Sequence, residues 1–166
     1  MKKLSFRNDI LPLKDKLFRL ALRITMQRED AEDVVQDTMI KLWKQQEKLQ
    51  QVDSIEAYSL TVCRNLAIDH TRKAANNVVE LSSDNIDQRS ENPYSTIFLR
   101  EQLSQVEAII AQLPEKQRTC FQLRDIEGKT YREIAGILQI TEDQVKINIF
   151  RARKTIRERI SEQEQA

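Results

Sequence analysis

Four residues near the C-terminal end, Ile147, Phe150, Arg151 and Lys154, follow one another at i, i+3, i+4 and i+7. On a helix that spacing makes one stripe. The types suit recognition rather than bond-breaking. Arg and Lys donate to guanine edges and phosphates, while Ile and Phe are apolar partners for a thymine methyl, so the stripe has the chemistry of a DNA major-groove reader. Between Asp143 and Arg159 stand six basic residues, Lys146, Arg151, Arg153, Lys154, Arg157 and Arg159, against two acids, Asp143 and Glu158, a local charge of +4. The whole chain carries a formal charge of only +1. The attraction for a polyanion is therefore confined to this helix.

A helix that offers this face must anchor the other. Ile149, Ala152 and Ile156 lie within roughly 40° of Val145 at about 100° per residue, which predicts a buried seam. Thr141-Glu142-Asp143-Gln144 reads as a capping box opening this helix. Thr130-Tyr131-Arg132-Glu133 reads as another, opening a shorter helix to Leu138. Two capped helices joined by about three residues form the pattern of a helix-turn-helix. Upstream, the stripe Val106, Ile109, Ile110 and Leu113 ends at Pro114, where a new helix starts, covering Lys116 to Ile126 and stopping near Gly128.

The first half of the chain has its own periodicity. Leu13, Leu17, Leu20, Ala21 and Ile24 form one apolar stripe, and Ala31, Val35, Thr38, Met39 and Leu42 another. With Val35 inward, Asp33, Gln36, Asp37 and Ile40 point outward. Five acids, Glu29, Asp30, Glu32, Asp33 and Asp37, crowd this helix's start against Arg28. They suit either the helix dipole or a docking surface, and their placement alone does not choose. Asp53-x-x-Glu56 is predicted to cap a helix running through Tyr58, Val62, Asn65, Leu66 and Asp69 towards Lys73. Its end is basic, with Arg64, Arg72 and Lys73. Between the halves lies a polar, acidic stretch without an apolar stripe, which predicts a linker. The expected architecture is all-α: two small helical domains, 1–75 and 95–166, joined by a flexible acidic linker, 76–94.

Composition narrows the function. Two Gly and three Pro leave little room for turn-rich β structure. Cys63 and Cys120 stand far apart without CxxC spacing or clustered His, so buried reduced thiols are expected rather than a disulfide or zinc site. His70 is the only histidine, and no acid-base constellation surrounds it in the sequence. With no nucleophile motif and no glycine-rich phosphate loop, neither an enzyme nor a cofactor or metal is expected. Met1-Lys2-Lys3 is basic, but Arg7, Asn8 and Asp9 interrupt any signal-peptide core. No apolar run approaches the roughly 20 residues of a membrane span. A soluble, cytoplasmic chain without membrane insertion is expected.

Several motifs together resemble the extracytoplasmic-function (ECF) group of the sigma-70 family of RNA polymerase sigma factors. Leu113-Pro114-Glu115-Lys116-Gln117-Arg118, Leu123-Arg124-Asp125-Ile126-Glu127-Gly128, Tyr131-Arg132-Glu133-Ile134-Ala135 and Phe150-Arg151-Ala152-Arg153 look like their C-terminal, minus-thirty-five-binding domain. Asp30-Ala31-Glu32-Asp33-Val34-Val35-Gln36-Asp37 with Leu42-Trp43 resembles their polymerase-binding helix. The run from Arg64 to Lys73 resembles their promoter-melting segment. The resemblance is in register along nearly the whole chain. Departures include Gln139 at a turn position where Gly is usual, Asp143 and Gln144 where small residues are usual, Ile147 for Ser or Val, and Tyr58 for Trp, which bear on promoter preference rather than fold.

The resemblance implies a sigma factor that binds core RNA polymerase and promoter DNA, with an anti-sigma partner. Asp33, Gln36, Asp37, Met39 and Trp43 would contact the polymerase clamp. Arg64, Asn65, Asp69, Arg72 and Lys73 would hold the minus-ten strand, with the loop from Leu49 to Asp53 enclosing a flipped base. At the minus-thirty-five element, Ile147, Phe150 and Arg151 are expected to touch bases, and Lys146, Arg153, Lys154 and Arg132 phosphates. Elements roughly 17 base pairs apart lie about 58 Å apart at about 3.4 Å per pair, and some 18 extended residues reach roughly 60 Å. The alternative from the residues alone is a stand-alone helix-turn-helix regulator, which would bind duplex DNA without polymerase. A pure interaction bundle leaves the outward stripe unexplained.

Overall fold

The computed structural model describes residues 4–76 and 97–165. The expected linker lies outside the described residues, apart from Asn76. Among the described residues every regular element is helical. The chain enters through a π-helical turn, Phe6–Ile10, and a 3₁₀ turn, Leu11–Leu13, the latter built on Pro12. There follow α1 (Lys14–Thr25), α2 (Arg28–Lys44), a single-turn α3 (Gln46–Leu49) and α4 (Ile55–Asn76). The C-terminal half comprises α5 (Ile97–Gln112), α6 (Glu115–Phe121), a π-helical turn (Gln122–Ile126), α7 (Tyr131–Leu138) and α8 (Glu142–Gln165).

Each helix forms where its sequence offers an apolar stripe and a stop. On α1 the buried residues are Leu17, Leu20, Ala21 and Ile24. The helix ends at Met26, whose left-handed backbone lets its N–H reach Leu22 O at 2.8 Å. On α2, Ala31, Val34, Val35, Thr38 and Leu42 are buried, and Thr38 satisfies its hydroxyl on Val34 O. Helices α1, α2 and α4 pack on one another. In the C-terminal half α8 is the spine, with α5, α6 and α7 against it.

Three expectations are corrected. The cap of α4 is Ser54, not Asp53: its Oγ accepts from Ala57 N at 3.1 Å, and Glu56 turns instead to Lys16 at 2.9 Å and to Lys129. Pro114 precedes α6 in extended conformation rather than opening it. The helix expected up to Ile126 widens after Phe121 into a π turn. Gly128 then takes φ +73° and Lys129 N reaches back to Leu123 O at 2.9 Å, a stop that favours glycine.

The two halves close on each other. Helix α1 packs against α6, and α4 against α7. One continuous apolar cluster runs from Leu17, Leu20, Leu60 and Cys63 to Leu123, Ile134, Ile137 and Ile149. A second lies between α5 and α8, and a third under the N-terminal turn around Ile10, Leu42, Leu49 and Val62. Cys63 and Cys120 are both buried and unpaired, as expected, and burial pushes each thiol up to about 12.

Candidate nucleic-acid interface

Both capping boxes form. Glu133 N donates to Thr130 Oγ1 at 3.0 Å while Thr130 N donates to Glu133 Oε1 at 2.9 Å. Thr141 and Gln144 repeat the exchange at the start of α8. Between them Gln139 takes the left-handed conformation, φ 59°, and Ile140 N bonds Ala135 O at 3.1 Å. The helix-turn-helix is thus held by two reciprocal caps and one strained turn.

The two faces of α8 separate as their spacing requires. Val145, Ile149, Ala152 and Ile156 are buried. On the other side Ile147 is 47% exposed and Phe150 63%, and Arg151, Lys154 and Lys146 are exposed around them. Arg132, on α7, is exposed as well. Uncovered apolar side chains of this size next to cations mark an unfilled binding surface.

Two features of this surface depend on tertiary structure. Tyr131 is a platform: Arg124 stacks over its ring at 4.5 Å and Lys146 at 5.7 Å. Arg153 is engaged by Asp125, with Nε on Oδ2 at 2.9 Å and a second short bond beside it. That fork ties α8 to the π turn, so Arg153 is held as a strut, whereas Lys154 is exposed. Pairs 28 residues apart leave no local signal in the sequence.

The basic end of α4 presents Asn65, Asp69, Arg72 and Lys73 to solvent. Arg64 differs. It is half-buried, its Nη1 donates to Asn65 Oδ1 at 3.1 Å, and its buried Nε has no partner among the described residues. Leu49, the last residue of α3, is buried, while Gln50 in the following loop is exposed. Tyr58 donates to Gln45 Oε1 at 2.8 Å and lies under Lys48.

On α2 the outward residues are Asp33, Gln36, Asp37, Ile40 and Trp43; the last two are exposed apolar groups. Trp43 gains an edge-on neighbour the periodicity missed, Phe6, at 5.1 Å between ring centres. Met39 is half-buried and packs against two apolar clusters, so only part of its side chain is presented at this surface. Asp30, Asp33 and His70 bring ligand atoms within 4.8 Å of one another. His70 Nε2 sits 3.1 Å from Asp30, a contact that ties α4 to the start of α2. Residues 40 apart hid it from the sequence.

This arrangement defines a helical DNA-binding protein of the helix-turn-helix class, with a second, acidic and aromatic, exposed face on α2. Comparison with known proteins narrows the class. The family model "Sigma-70 region 2" matches residues 10–77, and "Sigma-70, region 4" residues 103–156, together more than half of the chain. SigL of Mycobacterium tuberculosis, an ECF RNA polymerase sigma factor, is 32% identical over 143 residues, covering 85% of this chain and 80% of its own length. SigE of Mycolicibacterium smegmatis, another ECF sigma factor, is 27% identical over 87% of this chain, which spans only 57% of that relative. The RNA polymerase sigma-H factor of Pseudomonas aeruginosa is 28% identical over 89% of this chain and 83% of its own length. Among solved structures, the sigma factor RpoE in complex with the anti-sigma factor NepR from Bartonella quintana aligns at a TM-score of 0.78, with 23% identity and 94% of this chain and 96% of that one covered. CnrH, in complex with the cytosolic domain of CnrY, aligns at 0.69, with 20% identity and 94% and 87% covered.

The chain belongs to the sigma-70 family, in its ECF group. It is a promoter-specific initiation factor of RNA polymerase and not an enzyme.

Proposed function

We propose that α8 reads the minus-thirty-five element through Ile147, Phe150 and Arg151, with Lys146, Lys154 and Arg132 on phosphates and Arg153 holding the helix at its angle of entry. The observation that carries this reading is the opposition of a fully buried seam to an uncovered cationic and apolar stripe on one helix. In this reading the minus-ten strand lies along Asn65, Asp69, Arg72 and Lys73, with Arg64 placed to complete its hydrogen bonding there. Asp33, Gln36, Asp37 and Trp43 dock the polymerase clamp, with Phe6, Ile40 and Met39 shaping that surface. The working units are 1–75 and 95–166, joined by 76–94.

One structural neighbour, the sigma factor RpoE, was captured with the anti-sigma factor NepR, which supports an anti-sigma partner for this chain. Among the described residues no helix is long and apolar enough to cross a membrane. The deciding experiment is run-off transcription with purified core polymerase on a genomic library, beside gel shifts with and without core. Initiation that depends on this protein supports the assignment. Tight, specific duplex binding without polymerase, and no initiation, would replace it with a stand-alone regulator.

A further inference from the structure

Asp30 and Asp33 stand at i and i+3 in the first two turns of α2, a spacing that puts both carboxylates on one face. His70 reaches that face from α4, which packs against α2. One ligand atom from each of the three lies within 4.8 Å of the other two. His70 Nε2 stands 3.1 Å from Asp30 Oδ1. The promoter reading uses Asp33 and leaves Asp30 and His70 without a task.

These distances fit a single ion. Ligand atoms about 2.0–2.2 Å from a common centre stand roughly 3.0–4.2 Å apart. His70 and Asp30 already have that separation, and the exposed Asp33 side chain needs only a small rotation to join them. The electrostatics agree. Residues 28–37 hold five acids against one cation, Arg28. Arg28 lies over the Phe18 ring at 5.7 Å, so its guanidinium faces an aromatic surface.

One imidazole nitrogen and two carboxylate oxygens suit zinc and its first-row neighbours. Mg²⁺ prefers oxygen alone and keeps its water, so it is a poor match for this set. The His70 and Asp30 side chains are 32% and 34% exposed, which gives water access to complete the coordination shell.

We propose that Asp30, Asp33 and His70 form a site for a divalent first-row transition metal that bridges α2 and α4, and that the bound ion withdraws Asp33 from the polymerase clamp. The second clause rests on the clamp reading given above; the first does not. An ion held there pins the start of α2 to α4 and neutralises charge on the face that also carries Asp37.

The test titrates the full-length, tag-free chain with Zn²⁺ by calorimetry and with Co²⁺ by visible absorption. One equivalent should bind. Loss of even an outer-shell partner costs a metal site about 10–100-fold, so Asp33→Asn and His70→Gln should each weaken binding by at least about tenfold. Asp33 is exposed, so its variant keeps the fold even where His70→Gln loosens α4. Zn²⁺ at about a hundredfold above its Kd should raise the unfolding midpoint of wild type by about 5–10 °C, and by less in either variant. No stoichiometric binding, equal affinity in the variants, displacement of zinc by an equal concentration of Mg²⁺, or the intense thiolate–cobalt absorption that would assign the metal to Cys63 or Cys120, each overturns the site. Binding to core polymerase is then compared with and without Zn²⁺. It should fall several-fold in wild type and stay constant in His70→Gln, which loses the site but keeps Asp33. Zinc binding with no change in docking overturns the competition and leaves the site standing. A wild-type chain that does not bind core polymerase at all overturns the clamp reading instead, while the calorimetry still decides the site.

Discussion

Helices α2 and α8 are built to one plan and differ in one respect. Each buries a seam, Ala31–Val35–Leu42 on α2 and Val145–Ile149–Ile156 on α8, and each leaves large apolar side chains outside, Ile40 and Trp43 on α2, Ile147 and Phe150 on α8. Around the first pair lie Asp33 and Asp37, around the second Arg151 and Lys154. The apolar groups supply contact area in both cases. Under the function proposed above, the sign of the surrounding charge selects the partner: a protein surface for the acidic helix, a phosphate-lined groove for the basic one.

The comparison can be broken at its seams first. Ile149→Ala should cost about 2–5 kcal/mol of stability in urea unfolding, whereas Phe150→Ala, one residue on, should cost little stability and should weaken DNA binding. Similar stability losses for the two would mean that α8 has no outward face. Next comes Trp43→Ala, expected to weaken binding to core polymerase by roughly 2 kcal/mol or more, as a central aromatic anchor does. Trp43 is the only tryptophan, so its own fluorescence follows docking in the unaltered chain; unchanged affinity in the variant would remove α2 from the interface.

On the basic side, Arg151→Ala should cost about 1–3 kcal/mol and relax preference at one base pair, while Lys154→Ala should weaken all sequences alike and lower the salt slope by about one. Equal loss on every sequence for the Arg151 change would demote it to a phosphate contact. Gln139→Gly should stabilise the chain by about 1 kcal/mol, since glycine carries no penalty at φ 59°. A loss of stability would mean that the Gln139 side chain contributes more than its backbone costs.

The smallest effect concerns acid. The hydrogen bonds from Arg19, above all, hold the Glu127 carboxyl below the usual carboxylate range. Its stabilisation is present above the unfolded pKa of about 4.3 and is lost as pH falls through the lower folded value. The slope of stability against pH below about 4.3 should therefore be shallower in Glu127→Gln than in wild type, and identical slopes would contradict the pairing.

What the sequence shows of this molecule is what local rules govern. The two capping boxes, the turn between them and both faces of α8 follow from spacing alone, because each involves residues within a few positions of one another. The cap of α4 was misplaced by one residue: Asp53 and Ser54 are both good caps, and the choice was made by Lys16 and Lys129, which claim Glu56 from elsewhere in the fold. Met39 has the spacing of the α2 seam, and its packing against two separate clusters is something periodicity does not reveal. The Arg153–Asp125 fork and the closure of the two halves arise between distant residues, where periodicity is silent.

The two buried sulfurs give the molecule a built-in clock. A thiol pushed up to about 12 has a thiolate fraction on the order of 10⁻⁵ at pH 7, against a few per cent for a free cysteine. An alkylating reagent therefore meets Cys63 or Cys120 only during the moments when the surrounding packing parts. Cys63 lies in one half and Cys120 in the other, with no further thiol in the chain, so the two alkylation rates time the parting of the packing around each, without any label being introduced.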